Sequence, residues 1–313
     1  MPYDPIYWKS KIITAKAETV YGQDAGPTAL ANAMLMTDVQ YQPMEGEDVS
    51  RNLDLPYQGA QSKLPTGLRG VLTGSVELIG SGTPGKPPAW GPLLRACAAA
   101  QIVTADTSVE YVPISEGHES VTIGFMIGRW RHQLLGAKGT GVLTLNAQGI
   151  PVLRFTLTGL FVTPDDQARP SATYTDWQRP DVASKQNTPL FRIGAVDFVM
   201  RSYELNLGRD VQPRLLVGLE RILIVDQAET LTCTVEAVAA GVYNPFAIAQ
   251  AGTQQAVTLN HGTVAGRRVE VTVPYAEQAR PGGVQNNQGV VEWPLGFTPL
   301  PRVGNDQWKI KLT

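Results

Sequence analysis

The strongest constraint on this chain is that its second half repeats its first. The run AMLMTDVQYQPMEGEDVSRNLDL, beginning at Ala33, lies on AVDFVMRSYELNLGRDVQPRLLV, beginning at Ala195, at one constant offset. Ala33 meets Ala195, Tyr41 meets Tyr203, Gly46 meets Gly208, Asp48-Val49 meets Asp210-Val211 and Leu53 meets Leu215. After a few residues are dropped, Thr73-Gly-Ser-Val-Glu77 lies on Thr232-Cys-Thr-Val-Glu236. Each copy continues with a short helix candidate opened by proline, GPLLRACAAA from Gly91 and NPFAIAQAG from Asn244, and closes with alternating strands. Self-similarity at the length of a whole domain predicts duplication of a fold rather than an array of small repeats. The expected division is a first domain over residues 1–163 with an N-terminal arm, a linker or arm over 164–189, and a second domain over 190–313. The linker is polar, carries prolines at 164, 170, 180 and 189, and shows no period of two or of 3.6. One large β domain is the alternative reading.

Within each copy the hydrophobic period is that of half-buried strands. Thr230, Thr232, Thr234 and Glu236 share one face, while Leu231, Cys233 and Val235 share the other. Thr73, Ser75 and Glu77 are set likewise against Leu72, Val76 and Leu78. Leu153, Phe155 and Leu157 alternate with Arg154, Thr156 and Thr158, and Val269, Val271 and Val273 with Arg268, Glu270 and Thr272. Asn244 is a good N-cap and Pro245 suits a first helical turn; Gly91-Pro92 plays the same part in the first copy. The expected class is mainly β: a sandwich or half-barrel with a flanking short α-helix, duplicated in tandem.

Chemistry is sparse. ELIGSGTPGKPPAWG, from Glu77, carries G-x-x-x-x-G-K and G-x-G-x-x-G spacings, yet Pro87 stands where a phosphate loop needs a hydroxyl for Mg²⁺. Pro87 and Pro88 also remove two N–H donors, and three prolines block a helix from starting in the glycine run. It reads as a connection. His118, His132 and His261 lack metal-ligand spacing, and Cys97 and Cys233 lie far apart with no C-x-x-C pattern. Asp165-Asp166 reads as a solvated turn in the linker, and Arg129-Trp-Arg-His132 as a polar strand face or subunit contact. The formal charge of −2 argues against a protein that grips nucleic-acid phosphates. No signal peptide and no membrane-spanning run is read, and the expectation is no enzyme, no metal and no cofactor.

The run AKAETVYGQDAGPTALANAMLMTDVQYQP, the connection leading to WGPLLRACAAA, and in the second copy SYELNLGRDV, TCTVEAV, NPFAIAQAG and GNDQWKIKLT together resemble the tail tube (major tail) proteins of long-tailed bacteriophages. The resemblance implies a structural virion protein, made in the host bacterial cytoplasm, whose sandwiches stack as rings around a lumen that conducts double-stranded DNA, with strands of neighbouring subunits joined into a continuous inner β-barrel. Its implied partners are other copies of itself and the tape measure, terminator and distal tail proteins. Many members have one such domain and form hexameric rings. Two domains per chain would let three chains make a ring of pseudo-sixfold symmetry, with six chains as the other possibility. DNA must pass without sticking, so clustered Lys or Arg in the lumen would be harmful through counterion release. The polar faces with Thr73, Ser75, Glu77, Thr232, Thr234 and Glu236 are therefore the expected lumen. Residues 43–65 and 205–218, with Glu45, Glu47, Asp48, Arg51, Arg209, Asp210 and Arg214, are the expected loops between rings, together with the termini. A baseplate or decoration protein, a secretion-tube relative and, more distantly, a carbohydrate-binding sandwich remain alternatives.

Overall fold

The alternating runs become strands nearly everywhere. The computed structural model describes residues 5–313, so the start of the expected N-terminal arm, residues 1–4, lies outside the described residues. A 3-10 turn at Trp8–Ser10 leads into β1 (Lys11–Ala17), β2 (Ala33–Met34), β3 (Thr37–Ser50), β4 (Lys63–Glu77), α1 (Gly91–Arg95), β5 (Ala99–Thr104), β6 (Ser108–Pro113), β7 (Val121–Ile127), β8 (Trp130–Asn146) and β9 (Val152–Asp166). The second half holds β10 (Leu190–Ile193), β11 (Val196–Asp197), β12 (Met200–Asn206), β13 (Arg209–Leu216), β14 (Leu219–Gln227), β15 (Thr230–Glu236), α2 (Pro245–Ala251), β16 (Gln254–His261), β17 (Val269–Gln278), β18 (Gln285–Asn287), β19 (Val290–Pro299) and β20 (Lys309–Leu312). The chain is mainly β, consistent with a sandwich.

The helices are as short as expected, and their ends show why. Asn244 accepts from the N–H groups of Phe246 and Ala247, Pro245 opens the helix, and Gly252 closes it at φ 60°. The first helix starts one residue earlier than the sequence implies, with Trp90 at the N-cap. The Trp90 indole donates to Ile79 O at 2.9 Å, which anchors the buried ring to the end of the preceding strand. Ala98, at φ 53°, ends the turn after α1 and plays the part that Gly252 plays after α2.

In the first half the strands pair, all antiparallel, in the order β2–β1–β7–β8–β9–β4–β3. In the second half the order is β11–β10–β16–β17–β19–β15–β12. Strand for strand these are the same arrangement, and the turns are alike, although the second is one residue shorter, with Gln285 facing Glu292 where Thr144 faces Val152. Asn146-Ala-Gln-Gly149 precedes β9 and Asn286-Asn-Gln-Gly289 precedes β19, with Gln148 at φ 62° and Gln288 at φ 54°. Glu77 then faces Val152 in one half, and Glu236 faces Glu292 in the other.

The halves are joined by strands. Strand β12 lies between β15 and the end of β8, pairing Ser202 with Asn146 and Leu205 with Leu143. Strand β20 pairs with both β17 and β6, setting Ile310 against Tyr111. One apolar cluster runs through both halves, including the fully buried Leu72, Trp90, Tyr111, Phe155, Tyr203 and Trp308. Each buried Leu or Phe of such a core contributes about 1.5–3 kcal/mol.

Two sequence expectations change here. Strand β9 runs to Asp166, so Asp165-Asp166 belongs to a strand, where Arg131 and Arg129 hold the two carboxylates at 2.7 Å. The rest of the segment before β10 has no strand, but it is strapped down. Trp177 donates its indole N–H to Ala33 O at 3.0 Å, and Ala183 is buried between backbone bonds to Gly149 and Gln148. The segments read as loops are also mostly ladder. Residues 37–50 and 63–77 form one long hairpin, and 209–216 with 219–227 another, because antiparallel pairing satisfies the backbone that a loop would leave to water.

Candidate assembly surfaces

The joint at β12 makes one continuous sheet in the order β3–β4–β9–β8–β12–β15–β19–β18. Because side chains alternate across a pleat, register decides which residues share its face away from the core. One row runs Glu77, Val152, Thr144, Glu204, Thr232, Gly296. The next runs Ser75, Arg154, Val142, Asn206, Thr230. Thr73, Thr156 and Thr140 form a third, and Thr234 and Glu236 follow along β15. The six residues singled out by alternation in β4 and β15 thus fall on one face of one sheet. Ser75 adds little surface, being only 6% exposed with Thr37 and Arg154 opposite it in the ladder.

This face is polar and sparsely charged. Glu77, Glu204 and Glu236 are set against Arg154, and Arg201 is neutralised by Glu292 at 2.6 Å. The Arg201 guanidinium holds the Glu292 carboxyl below the usual carboxylate range, while partial burial pushes Glu77 up. Arg154, Glu204 and the Arg201–Glu292 pair were not singled out from sequence. Alternation marks Arg154 as facing outward, but only the register shows that it shares a face with Glu77.

The first long hairpin continues β3 and β4 past the point where β4 leaves β9, whereas the second packs on the first half, with Ile222 buried and its N–H donating to the Tyr21 hydroxyl. Glu45, Glu47, Asp48 and Arg51 lie on or just past β3, where Glu45 pairs with Arg69 at 3.5 Å and Asp48 with Lys63 at 4.0 Å. The tip carries exposed Leu53, Leu55 and Tyr57. In the other hairpin Asp210 and Arg214 are exposed, and the tip carries Leu216, Val217 and Leu219 in solvent. Arg209 behaves differently. It stands at the base of its hairpin with a fully buried side chain, bonded to Glu229 at 3.0 Å and to Cys97 O at 2.9 Å. Burial lowers its pKa, and Glu229 opposes that shift. Arg209 ties the second half to the turn after α1, so it leaves the set of residues available to a neighbouring ring.

The motifs that mimic active sites are structural joints. In the glycine loop, Gly82 N–H donates to Gly266 O at 3.0 Å, and Ser81 Oγ lies 2.9 Å from Thr83 O and 2.8 Å from Lys86 O. Lys86 pairs with Asp176 at 2.7 Å. A Cβ on Gly80 would overlap Gly266 O, so the glycines let two backbones touch instead of cradling an anion. His132 packs against Tyr41 and Phe125, and His261 lies between Thr188 Oγ1 and Asp181 O. Among the described residues, no three His, Cys, Asp or Glu side chains gather as metal ligands, and no helix is long and apolar enough to cross a membrane.

A family model described as phage tail tube protein matches residues 9–299. The chain belongs to that family. The match covers nearly the whole sequence, including both halves and the joint between them. No curated protein matches the chain. Membership makes this a structural component of the virion tail, one that assembles with itself and other tail proteins into a tube. It implies a structural and not an enzymatic role.

Proposed function

We propose that the chain is a tandem duplicate, that three chains close into a ring of pseudo-sixfold symmetry, and that rings stack into the conduit for double-stranded DNA. The observation that carries this reading is the identical strand order of the two halves, joined edge to edge by β12 and β8. A chain that already contains two sandwich units side by side needs three copies where single-unit members need six. Closing the sheet removes its exposed edges, and head-to-tail stacking of rings generates a filament.

In this reading the polar face with Glu77, Glu204 and Glu236 lines the lumen. Among the described residues, three carboxylates stand against one exposed and unpaired cation, Arg154, while Lys138 of the same face is buried under Tyr21, so DNA phosphates meet no cluster of cations to displace their counterions. The hairpin bearing Glu45, Glu47, Asp48 and Arg51 and the one bearing Asp210 and Arg214 reach the adjacent ring, with apolar tips covered on stacking. Assembly takes place in the host cytoplasm with the tape measure, terminator and distal tail proteins. Electron microscopy of the tube tests the proposal: threefold averages with six similar lobes are expected, with Glu77 and Glu236 on the bore. A ring of six complete chains, or both carboxylates on the outer wall, would refute it.

A further inference from the structure

The joint inside the chain is a template for the joint between chains. Strand β12 has both edges filled, but among the described residues its counterpart β3 pairs only with β4. At the opposite end of the sheet, β18 pairs among the described residues only with β19, whereas its counterpart, the end of β8, also receives β12. Each chain therefore has one open edge at β3 and the complementary open edge at β18. Resting on the ring reading above, we infer that β3 of one chain adds to β18 of the next copy in the register that β12 takes on β8.

Equivalent positions give the register. Glu204 faces Thr232 as Gln40 faces Thr73, and Thr144 faces Val152 as Gln285 faces Glu292. Glu204 pairs with Thr144 inside the chain, so Gln40 of one chain sits opposite Gln285 of the next. Their neighbours Tyr41 and Val284 then meet on the core side, as Leu205 and Leu143 do. The ladders set Tyr41 level with Leu205, two residues past the Tyr203 with which the sequence repeat aligns it, because β3 and β12 carry different bulges. Val284 is 63% exposed in the single chain, and Tyr41 is only partly covered. The docked strand covers both. Pro43 lies in β3 at a register shift and has no N–H to offer, which ends regular pairing at that point.

A second observation places an ion pair at the same joint. Where the second hairpin leaves the sheet, Arg209 faces Gln227 in the ladder and pairs with Glu229 beyond it, and at the matching rung of the first hairpin Glu45 and Arg69 face each other as an ion pair. The first pair is sealed against the carbonyls of Cys97 and Ala98, in the turn that closes α1. The second has side chains 33% and 29% exposed. Its counterpart turn, at Ala251 and Gly252 after α2, belongs to the neighbouring chain. Arg69 reaches those carbonyls across the interface, as a cation favourably placed at a helix C-terminus.

Disulfide trapping tests the register. Chains carrying Gln40→Cys and chains carrying Gln285→Cys are mixed, assembled and oxidised. A covalent dimer is expected on a non-reducing gel from the mixture and from neither variant alone, since Cys97 and Cys233 are buried. Tubes seen by electron microscopy without that dimer would overturn the register while leaving the tube reading intact. Wild-type chains that never form rings would overturn both. Arg69→Ala is the independent check: the monomer should melt as wild type does, and the concentration needed for assembly should rise at least tenfold. Unchanged assembly by Arg69→Ala would overturn the role of the ion pair.

Discussion

Glu229→Ala is the most informative single substitution within the chain. The guanidinium of Arg209 has no exposed surface and Glu229 is 4% exposed, so the mutation leaves a buried cation facing Gln227 and two backbone carbonyls. Removing one partner of a buried pair costs about 3–5 kcal/mol, because the remaining charge has lost its counter-charge and cannot regain water. With an unfolding entropy of about 2.1 cal/mol/K per residue, 313 residues give about 0.7 kcal/mol/K, and the melting temperature should fall by about 5–8 °C. Replacing both partners, Arg209→Met with Glu229→Leu, removes the desolvation cost along with the attraction. It should stay within about 2 kcal/mol of wild type. Urea unfolding of the dilute monomer, followed by tryptophan fluorescence, reads both variants. Trp308 reports on the site directly, since its ring lies 5.8 Å from the guanidinium. A loss under about 1 kcal/mol for Glu229→Ala, or a double variant as damaged as the single one, would refute the argument.

Other outcomes follow from the same packing. Gly80→Ala forces a methyl group into Gly266 O at the contact between halves and should destabilise by about 1–3 kcal/mol in the same urea assay, whereas Gly59→Ala on the open hairpin tip should be near neutral. Burial pushes the thiols of Cys97 and Cys233 up to about 12, so a thiol reagent at pH 8 should find none in the native chain and two per chain after unfolding. Burial lowers the pKa of His118, His132 and His261 in the folded state, so the unfolded chain binds more protons. Their contribution to stability is complete above the unfolded value of about 6.5 and is lost as pH falls through the folded values. Melting temperature should accordingly fall as pH drops below 6.5, and His132→Phe should flatten that slope.

How much was legible in the sequence follows from which interactions are local. The alternation of Leu231, Cys233 and Val235 with threonines needs only the period of a pleat, and those three side chains are buried in β15. Asn244, Pro245 and Gly252 specify a short helix through their own backbones, so α2 was readable. The long hairpins were not, because residues 43–65 mix prolines, glycines and charges, and only pairing across β3 and β4 makes them a ladder. Asp165 and Asp166 looked like a turn for the same reason: Arg131 and Arg129, which hold them in a strand, lie more than thirty residues earlier.

The sequence by itself determined the fold class, the short helices, the polar and apolar side of each strand, and the family resemblance, since periodicity and turn chemistry are written along the chain. Tertiary structure alone decided which strands meet. It placed Glu77, Glu204 and Glu236 on one face, and it buried Arg209 while leaving its counterpart pair Glu45–Arg69 open. Hydrogen-bonded register between distant segments sets both, and no local pattern encodes it. The glycine-rich segment after Glu77 shows the division plainly. Its prolines already argued against a phosphate loop, but its work as a backbone-to-backbone contact with Gly266 depends on a residue in the other half of the chain.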